Sequence, residues 1–513
     1  MRAFISKTWL FPVILSLTGI ALALSPLVLS LGRLSIYSFF RVPFASWYVF
    51  VLSGAILILT GVILYLWWVS RRSFAEIAML RREPIQGEIP AVLGHKCLDR
   101  AEFLSVVQSL FGRFPGVRAI RVNSLPGGYG GGETVLVKLD EAQGTLPIPR
   151  SFVVKLGGKR EMAEEREKFE RFVYGRLARA PQLYSYAEWE DYAGLAYEFA
   201  GLDMDDEVQS LSQFYAGHTG VEITKIVDEV YSHLGRAWYG KKRTVSVSLR
   251  HEYAMLREKR DTIVRAVEGL VDDSDVYWRH LANGEAQTSP SAKPGFCPPV
   301  AVAWYDPVTF LVQWDAGHER VRIKRSVVHG DLHARNILIE VARDGPKLVW
   351  FIDFSHTGNG LSAARTKQLQ RDGIEIDDRG GHTLRDFARL ESETKFILTQ
   401  LRDERDLARA VAFEGELMAQ GMTLPDLRMS SLSDDILLDD RFRKAWQVIR
   451  EIRALARNYI VDKDDLRPYY FSLLGATLPT VYYQRAQFNS EQYELQQKRY
   501  AFLAAGMLCA RLR

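Results

Sequence analysis

Residues 327–340 read VVHGDLHARNILIE. Apolar runs flank a polar centre that holds His329, Asp331, His333, Arg335 and Asn336. A strand that served only to fill a core would not carry this centre, since burying a polar group without a partner costs roughly 1–3 kcal/mol. An Asp followed five residues later by an Asn, held between two apolar runs, describes a rigid loop that presents oxygen-bearing side chains.

A second stretch completes the first. In LVWFIDFS (348–355) an apolar strand ends at Asp353, 17 residues beyond Asn336. Two strand ends then present Asp331, Asn336 and Asp353 together. Carboxylate and amide oxygens are hard ligands suited to Mg²⁺, which keeps waters and substrate phosphates as its other ligands. An acid the metal does not need, Asp331, could accept the proton of a hydroxyl nucleophile. These are the parts of phosphoryl transfer, in which positioning and charge neutralisation do most of the work.

The upstream part supplies phosphate-binding elements. RAIRVNS (118–124), TVLVKL (134–139) and SFVVKL (151–156) read as three strands, and Gly127, Gly128, Gly130, Gly131 and Gly132 fall between the first two. Glycines there let backbone N–H groups approach phosphates closely. Lys155 ends an apolar strand and can reach a phosphate as a point charge. The next segment, EMAEEREKFERFVYGRL (161–177), reads as a helix and offers Glu164, Glu165 and Glu167 as partners for that lysine. LAYEFAG (195–201) reads as another short strand, and beyond it the periodicity is mostly helical. Strands first and helices after predict an α+β, two-lobed arrangement.

HGDLHARN, followed by Ile-Asp-Phe, resembles the catalytic loop and metal strand of the protein-kinase-like fold, in its aminoglycoside phosphotransferase and choline kinase branch. The kinase-like ternary complex associated domains of bacterial signalling and conflict systems are the nearest group within that resemblance. It implies ATP and Mg²⁺ as cofactors, with Asp331 as catalytic base, Asn336 and Asp353 as metal ligands, and Lys155 on the α- and β-phosphates. It also implies that Gly128, Gly130 and Gly131 cradle phosphates, that Glu167 pairs with Lys155, and that AYEFAG (196–201), with Glu198, is the hinge whose backbone binds adenine. HTLRDFARLE (382–391) resembles the following helix, where Asp386 braces the catalytic loop, as His329 does from within it. The sequence departs from the family in several places. Phe354-Ser355 stands where protein kinases have Phe-Gly, no Ala-Pro-Glu follows, Glu133 sits beside the glycine run, and residues 361–381 form a charged insertion. The competing reading is a kinase-like module that binds a nucleotide or partner without catalysis.

The first seventy residues differ in kind. Residues 8–31 and 45–69 carry no charged side chain, and each exceeds the ~20 residues that span a hydrocarbon core. They predict two transmembrane helices over 1–70, a linker over 71–97, a sheet-bearing lobe over 98–201 and a helical lobe over 202–513. Ala21-Leu22-Ala23 would suit signal cleavage, although the apolar run continues past it. Arg71, Arg72, Arg81 and Arg82 after the second stretch place the bulk of the chain in the cytoplasm, as a multi-pass inner-membrane protein. This anchor makes the bilayer a partner and a membrane-associated protein or lipid head group the expected acceptor. A net charge of +4 gives no reason to expect nucleic acid. Cys97, Cys297 and Cys509 have no paired spacing, so neither a zinc site nor a disulfide framework is expected.

Overall fold

The computed structural model describes residues 60–61, 86–88, 100–111, 117–124, 133–141, 151–198, 207–268, 270, 303–313, 320–341, 348–361, 363–371, 377, 380–488 and 491–513. The chain divides into two compact units, residues 1–84 and 85–513. Of the first unit only Thr60 and Gly61 are described.

The second unit opens with a six-stranded sheet. Its strands are β1 (Gln86–Glu88), β2 (Val117–Ser124), β3 (Glu133–Glu141), β4 (Ser151–Gly158), β5 (Leu183–Trp189) and β6 (Tyr192–Glu198), in the order β1-β2-β3-β4-β6-β5. Every pairing is antiparallel except β1 with β2, which is parallel. Gln86–Glu88 lies in the stretch read as a linker, yet it is part of this sheet. Helix α1 (Arg100–Phe111) covers one face. Val106, Val107, Leu110 and Phe111 pack there against Val135, Val137, Phe152, Val154 and Leu156. The fit is close at Gly194 on β6, where an added Cβ would come within 2.8 Å of Leu110 Cδ1.

The pleat decides where the lysine points. Side chains alternate along a strand, so Phe152, Val154 and Leu156 face α1, and Lys155 must face the other way. That second face carries Ala193, Leu195 and Tyr197 and packs against helix α2 (Lys159–Lys168) through Met162 and the Phe169 that follows it. β4 thus pins the sheet core with one face and offers a cation with the other.

The rest is mainly helical. Helix α3 (Gly220–Ala237) begins with a capping box, in which Thr219 Oγ1 accepts from the Glu222 amide and Glu222 reaches back to the Thr219 amide. Two small sheets hold the loops of interest. One pairs β10 (Ile337–Val341) with β7 (Glu207–Ser210) and β11 (Leu348–Phe351), and the other pairs β9 (Val321–Ser326) with β8 (Arg243–Val247) and β12 (Gly381–His382). Helices α4 (Ala363–Arg371), α5 (Leu384–Glu393), α6 (Glu404–Gln420), α7 (Asp440–Ala456), α8 (Arg467–Thr477) and α9 (Glu494–Leu512) complete the unit. The charged stretch 361–381 is therefore partly helical, and its Leu361 and Leu369 pack with Ala254 in a small apolar cluster.

A charged network lies inside the helical core. Arg453 on α7 grips Glu391 on α5 with two hydrogen bonds, of 2.7 and 3.0 Å, and both side chains are fully buried. Lys395 joins Glu391 to Glu414 on α6, and Tyr469 and Tyr500 donate to the two carboxylates. Arg453 Nη1 also donates to the carbonyls of Leu417 and Gly421, which closes the C-terminal end of α6.

The anchor expected over residues 1–70 is corrected here. Among the described residues no helix is long and apolar enough to cross a membrane. The two longest, α3 and α9, both carry charged residues (Glu222, Lys225, Asp228 and Glu229 in one, Glu494, Lys498, Arg499 and Arg511 towards the ends of the other), and neither is apolar enough over its length to cross hydrocarbon. The apolar stretches 8–31 and 45–69 lie outside the described residues apart from Thr60 and Gly61. The two-span anchor, the multi-pass inner-membrane placement and the bilayer as partner are withdrawn.

Replacing Arg453 by Met leaves Glu391 buried beside one cation in place of two. Loss of one member of a buried ion pair costs about 3–5 kcal/mol. Arg453→Met should destabilise the chain by this order, read as a lower urea midpoint at an unchanged slope.

Candidate functional site

The candidate site forms where the second face of the sheet meets the ends of β10 and β11. These strands are antiparallel neighbours with Ile337 opposite Phe351. Asn336 therefore enters β10 beside the place where Asp353 leaves β11, and the Ile352 amide donates to the Asn336 carbonyl at 3.1 Å. Pairing register alone brings the two expected metal ligands together.

Lys155 reaches this point from β4. Its Nζ lies 2.7 Å from Glu165 Oε2 and 2.8 Å from Asp353 Oδ1. Burial works against its charge, but the two carboxylates outweigh it and hold the ammonium well above its usual range. Asp353 responds in the opposite sense: burial would raise it, yet Lys155 and the Ser355 hydroxyl, 2.7 Å away, keep it ionised far below the usual carboxylate range. Its backbone is left-handed, with φ 63°, a costly conformation for Asp that the surrounding contacts hold in place.

The expected pairing of Lys155 with Glu167 is corrected to Glu165. On α2 the buried positions are Met162 and Glu165, followed by Phe169, and Glu167 is exposed. Two residues along a helix turn the side chain by about 200°, so these glutamates cannot share a face. Glu165 is 1% exposed, and its second oxygen accepts from Tyr197 at 3.1 Å. Glu164 pairs instead with Arg160.

Asp331 sits on the loop between β9 and β10. Arg389 Nε donates to its Oδ1 at 3.0 Å, and His333 Nε2 lies 3.6 Å from Oδ2. Burial alone would raise this carboxyl, but His333 and Arg389 hold it well below the usual range. Asn336 Nδ2 donates to the Asp331 carbonyl at 3.0 Å, which ties the loop across its own turn. Asp386 on α5 braces the same loop from below: it accepts from the His329 amide (2.8 Å), the Gly330 amide (2.9 Å) and the Tyr239 hydroxyl (2.6 Å). His329 Nε2 meets the Ile352 carbonyl at 3.1 Å and links the loop to β11. Gly330 is required here. Its φ is +86°, and a Cβ would come within 2.5 Å of the His356 carbonyl.

Asn336 and Asp353 fit a magnesium ion. The Asn336 amide nitrogen is engaged with the Asp331 carbonyl, which leaves its oxygen as the acceptor, and Asp353 is held ionised. Among the described residues no group of three His, Cys, Asp or Glu could hold a metal, so this pair would rely on phosphate oxygens and water, as Mg²⁺ sites usually do.

Several expected elements fall elsewhere. Gly128, Gly130 and Gly131 lie outside the described residues, as does the hinge beyond Glu198. Glu198 itself ends β6 opposite Phe152, and its amide donates to the Gln182 carbonyl at 2.8 Å. Arg389, Ser355 and Tyr239 were not anticipated. Arg389 alone had a local signal, since it follows Asp386 by three residues on one helix and so shares its face.

No family model matches the chain, and a search of curated proteins found no match. Among solved structures the chain is similar to a thermostable mutant of aminoglycoside phosphotransferase APH(4)-Ia in its apo form, at 11% identity, over 79% of this chain and 97% of the other, with a TM-score of 0.38. It is also similar to a thermostable mutant of the same enzyme in a ternary complex with ADP and hygromycin B, at 11% identity, over 70% and 98% of the two chains, with a TM-score of 0.31. Likeness at this level leaves the reading to the geometry of the cleft.

Lys168, on the last turn of α2, donates to the carbonyls of Ser355 (2.7 Å) and Leu361 (2.5 Å). Burial pulls its pKa down from 10.5 to about 8, with Glu164 and the neighbouring carboxylates offsetting only part of that cost. Between those two values the unfolded chain binds the proton and the folded chain does not, so this lysine makes stability rise with pH across that window. Urea titrations of wild type and Lys168→Met at pH 7 and pH 10 should show wild type gaining on the variant at the higher pH.

Proposed function

We propose that the chain is a kinase-like phosphotransferase that moves the γ-phosphoryl group of ATP to a hydroxyl acceptor. The observation that carries this reading is the meeting of Lys155, from the sheet, with Asp353 at the mouth of β11, beside Asn336 and one loop from Asp331. A cation for phosphates, a pair of hard oxygen ligands and a separate carboxylate are the three things phosphoryl transfer needs from a protein.

On this reading residues 98–201 form the nucleotide lobe and 202–513 the helical lobe. Gly128, Gly130 and Gly131 would approach the phosphates, and the backbone past Glu198 would meet adenine. Nucleotide entry would separate Lys155 from Asp353. Lys155 would turn to the α- and β-phosphates while Glu165 stays as its anchor, because Tyr197 and burial fix that carboxylate. Asn336 and Asp353 would hold Mg²⁺, which neutralises charge on the phosphate oxygens. Asp331, kept ionised by His333 and Arg389, would orient the acceptor hydroxyl and take its proton. A carboxylate so acidic is a weak base, which suits a loose transition state where the proton leaves late. A membrane-bound acceptor is not proposed, since it rested on the withdrawn anchor.

A second reading, a nucleotide-binding module without transfer, draws on the Arg389 contact, which occupies the carboxylate meant for the acceptor. One experiment separates the two. Magnesium-dependent ATP turnover and nucleotide affinity are measured for wild type and Asp331→Asn. Loss of a general base costs about 10²–10⁴ in rate, so the variant should lose turnover by that factor and keep its affinity within about twofold. Wild-type turnover no greater than that of Asp331→Asn would establish the second reading.

A further inference from the structure

Behind the loop that leaves Asp353 lies a cavity of about 520 Å³, a volume that fits a small molecule. Its walls come from β8, the short helix Leu249–Glu252, residues 359–361 and α4, and none of Lys155, Asp331, Asn336 or Asp353 lines it. It is a separate space from the cleft described above.

Two kinds of surface face each other in it. One is apolar: Ala254, Leu361 and Leu369 form their own buried cluster, with Met255 packed against it. The other is made of buried donors. Arg325 Nε, Arg385 Nε and the Ser248 hydroxyl are buried, and none has a hydrogen-bond partner among the described residues. Arg385 is only 8% exposed. A buried guanidinium N–H left unmet is costly, and so is a buried hydroxyl, so three behind one cavity wall form a donor-rich layer that a small shift of the side chains would open to an acceptor in the cavity.

The charges on the lining agree. Glu252 is consumed within the wall, since Arg325 donates to one of its oxygens and the His382 amide to the other, with Arg385 3.7 Å away. Asp377 is paired with Arg243. With Glu252 matched by Arg325 and Asp377 by Arg243, Arg320 and Arg385 leave the cavity positive.

We infer that this cavity binds a small molecule carrying a carboxylate or phosphate on an apolar body, at a site distinct from the nucleotide's. The anionic group meets Arg325, Arg385 and Ser248, and the apolar body rests on Leu361, Leu369 and Met255. The route to the catalytic loop is short. Arg385 Nη1 donates to the Gly360 carbonyl at 3.0 Å, and Gly360 packs so closely on Gly330 that a Cβ there would come within 2.7 Å of the Gly360 Cα. The next residue on α5, Asp386, holds the Gly330 amide. An occupant that draws on Arg385 therefore acts on the loop that carries Asp331. The binding site itself rests on no assignment of phosphotransfer.

The test is calorimetric titration of the full chain with phenyl phosphate, benzoate and benzyl alcohol, with and without saturating ADP. At least one of the two anions should bind ten times more tightly than benzyl alcohol, and its binding should persist with ADP present. Met255→Trp, which fills the apolar side, should abolish it at an unchanged melting temperature. If that variant melts lower, Ser248→Val serves in its place and should weaken binding at least fivefold. Absence of anion binding to folded wild type, equal affinity for benzyl alcohol, full displacement by ADP, or unchanged binding in a folded cavity variant would each overturn the proposal.

Discussion

A single buried carboxylate, Asp386, holds the cleft in shape. It accepts two backbone amides of the Asp331 loop and one tyrosine hydroxyl, and so satisfies donors that the left-handed turn at Gly330 would otherwise leave bare. Burial pushes this carboxyl up from its usual range, and its three hydrogen bonds together with His329 act against that push. Because α5 supplies Asp386, Arg385 and Arg389 within a little more than one turn, one rigid helix sets the loop backbone, the loop behind it and the carboxylate of Asp331. The network of Glu391, Arg453 and Lys395 fixes the next turn of that helix in the core.

The residues at strand ends were legible from the sequence because their position follows from alternation and register. Lys155 stands between two residues that face α1, so its direction is settled by the pleat. Asn336 and Asp353 flank strands that pair in register, so their proximity follows once both strands are recognised. The motif points to Glu167 as the partner of Lys155, whereas helical phase points to Glu165. Met162, Glu165 and Phe169 share the buried side, and counting by three and four would have selected the right glutamate.

What stayed illegible depends on contacts across long separations. Arg389 lies 58 residues from Asp331, and nothing near either one announces the pair. The cavity behind the cleft is built from segments far apart in the chain, from Val245 to Arg385, and part of its wall lies in the stretch 361–381, whose composition suggested only an insertion. The apolar stretches near the N-terminus were read by composition and length alone, and the long helices of the described structure are of a different, charge-bearing kind.

The short strand β1 has a consequence for how the protein can be handled. Paired in parallel with β2, it covers what would otherwise be the outer edge of the six-stranded sheet. A chain trimmed at residue 98, where the composition turns globular, would lack Gln86–Glu88 and expose the β2 backbone along Ala119–Arg121. Bare strand edges recruit other strands, so such a fragment would carry an adhesive border that the longer chain conceals. The shortest form that keeps the sheet capped starts before Gln86.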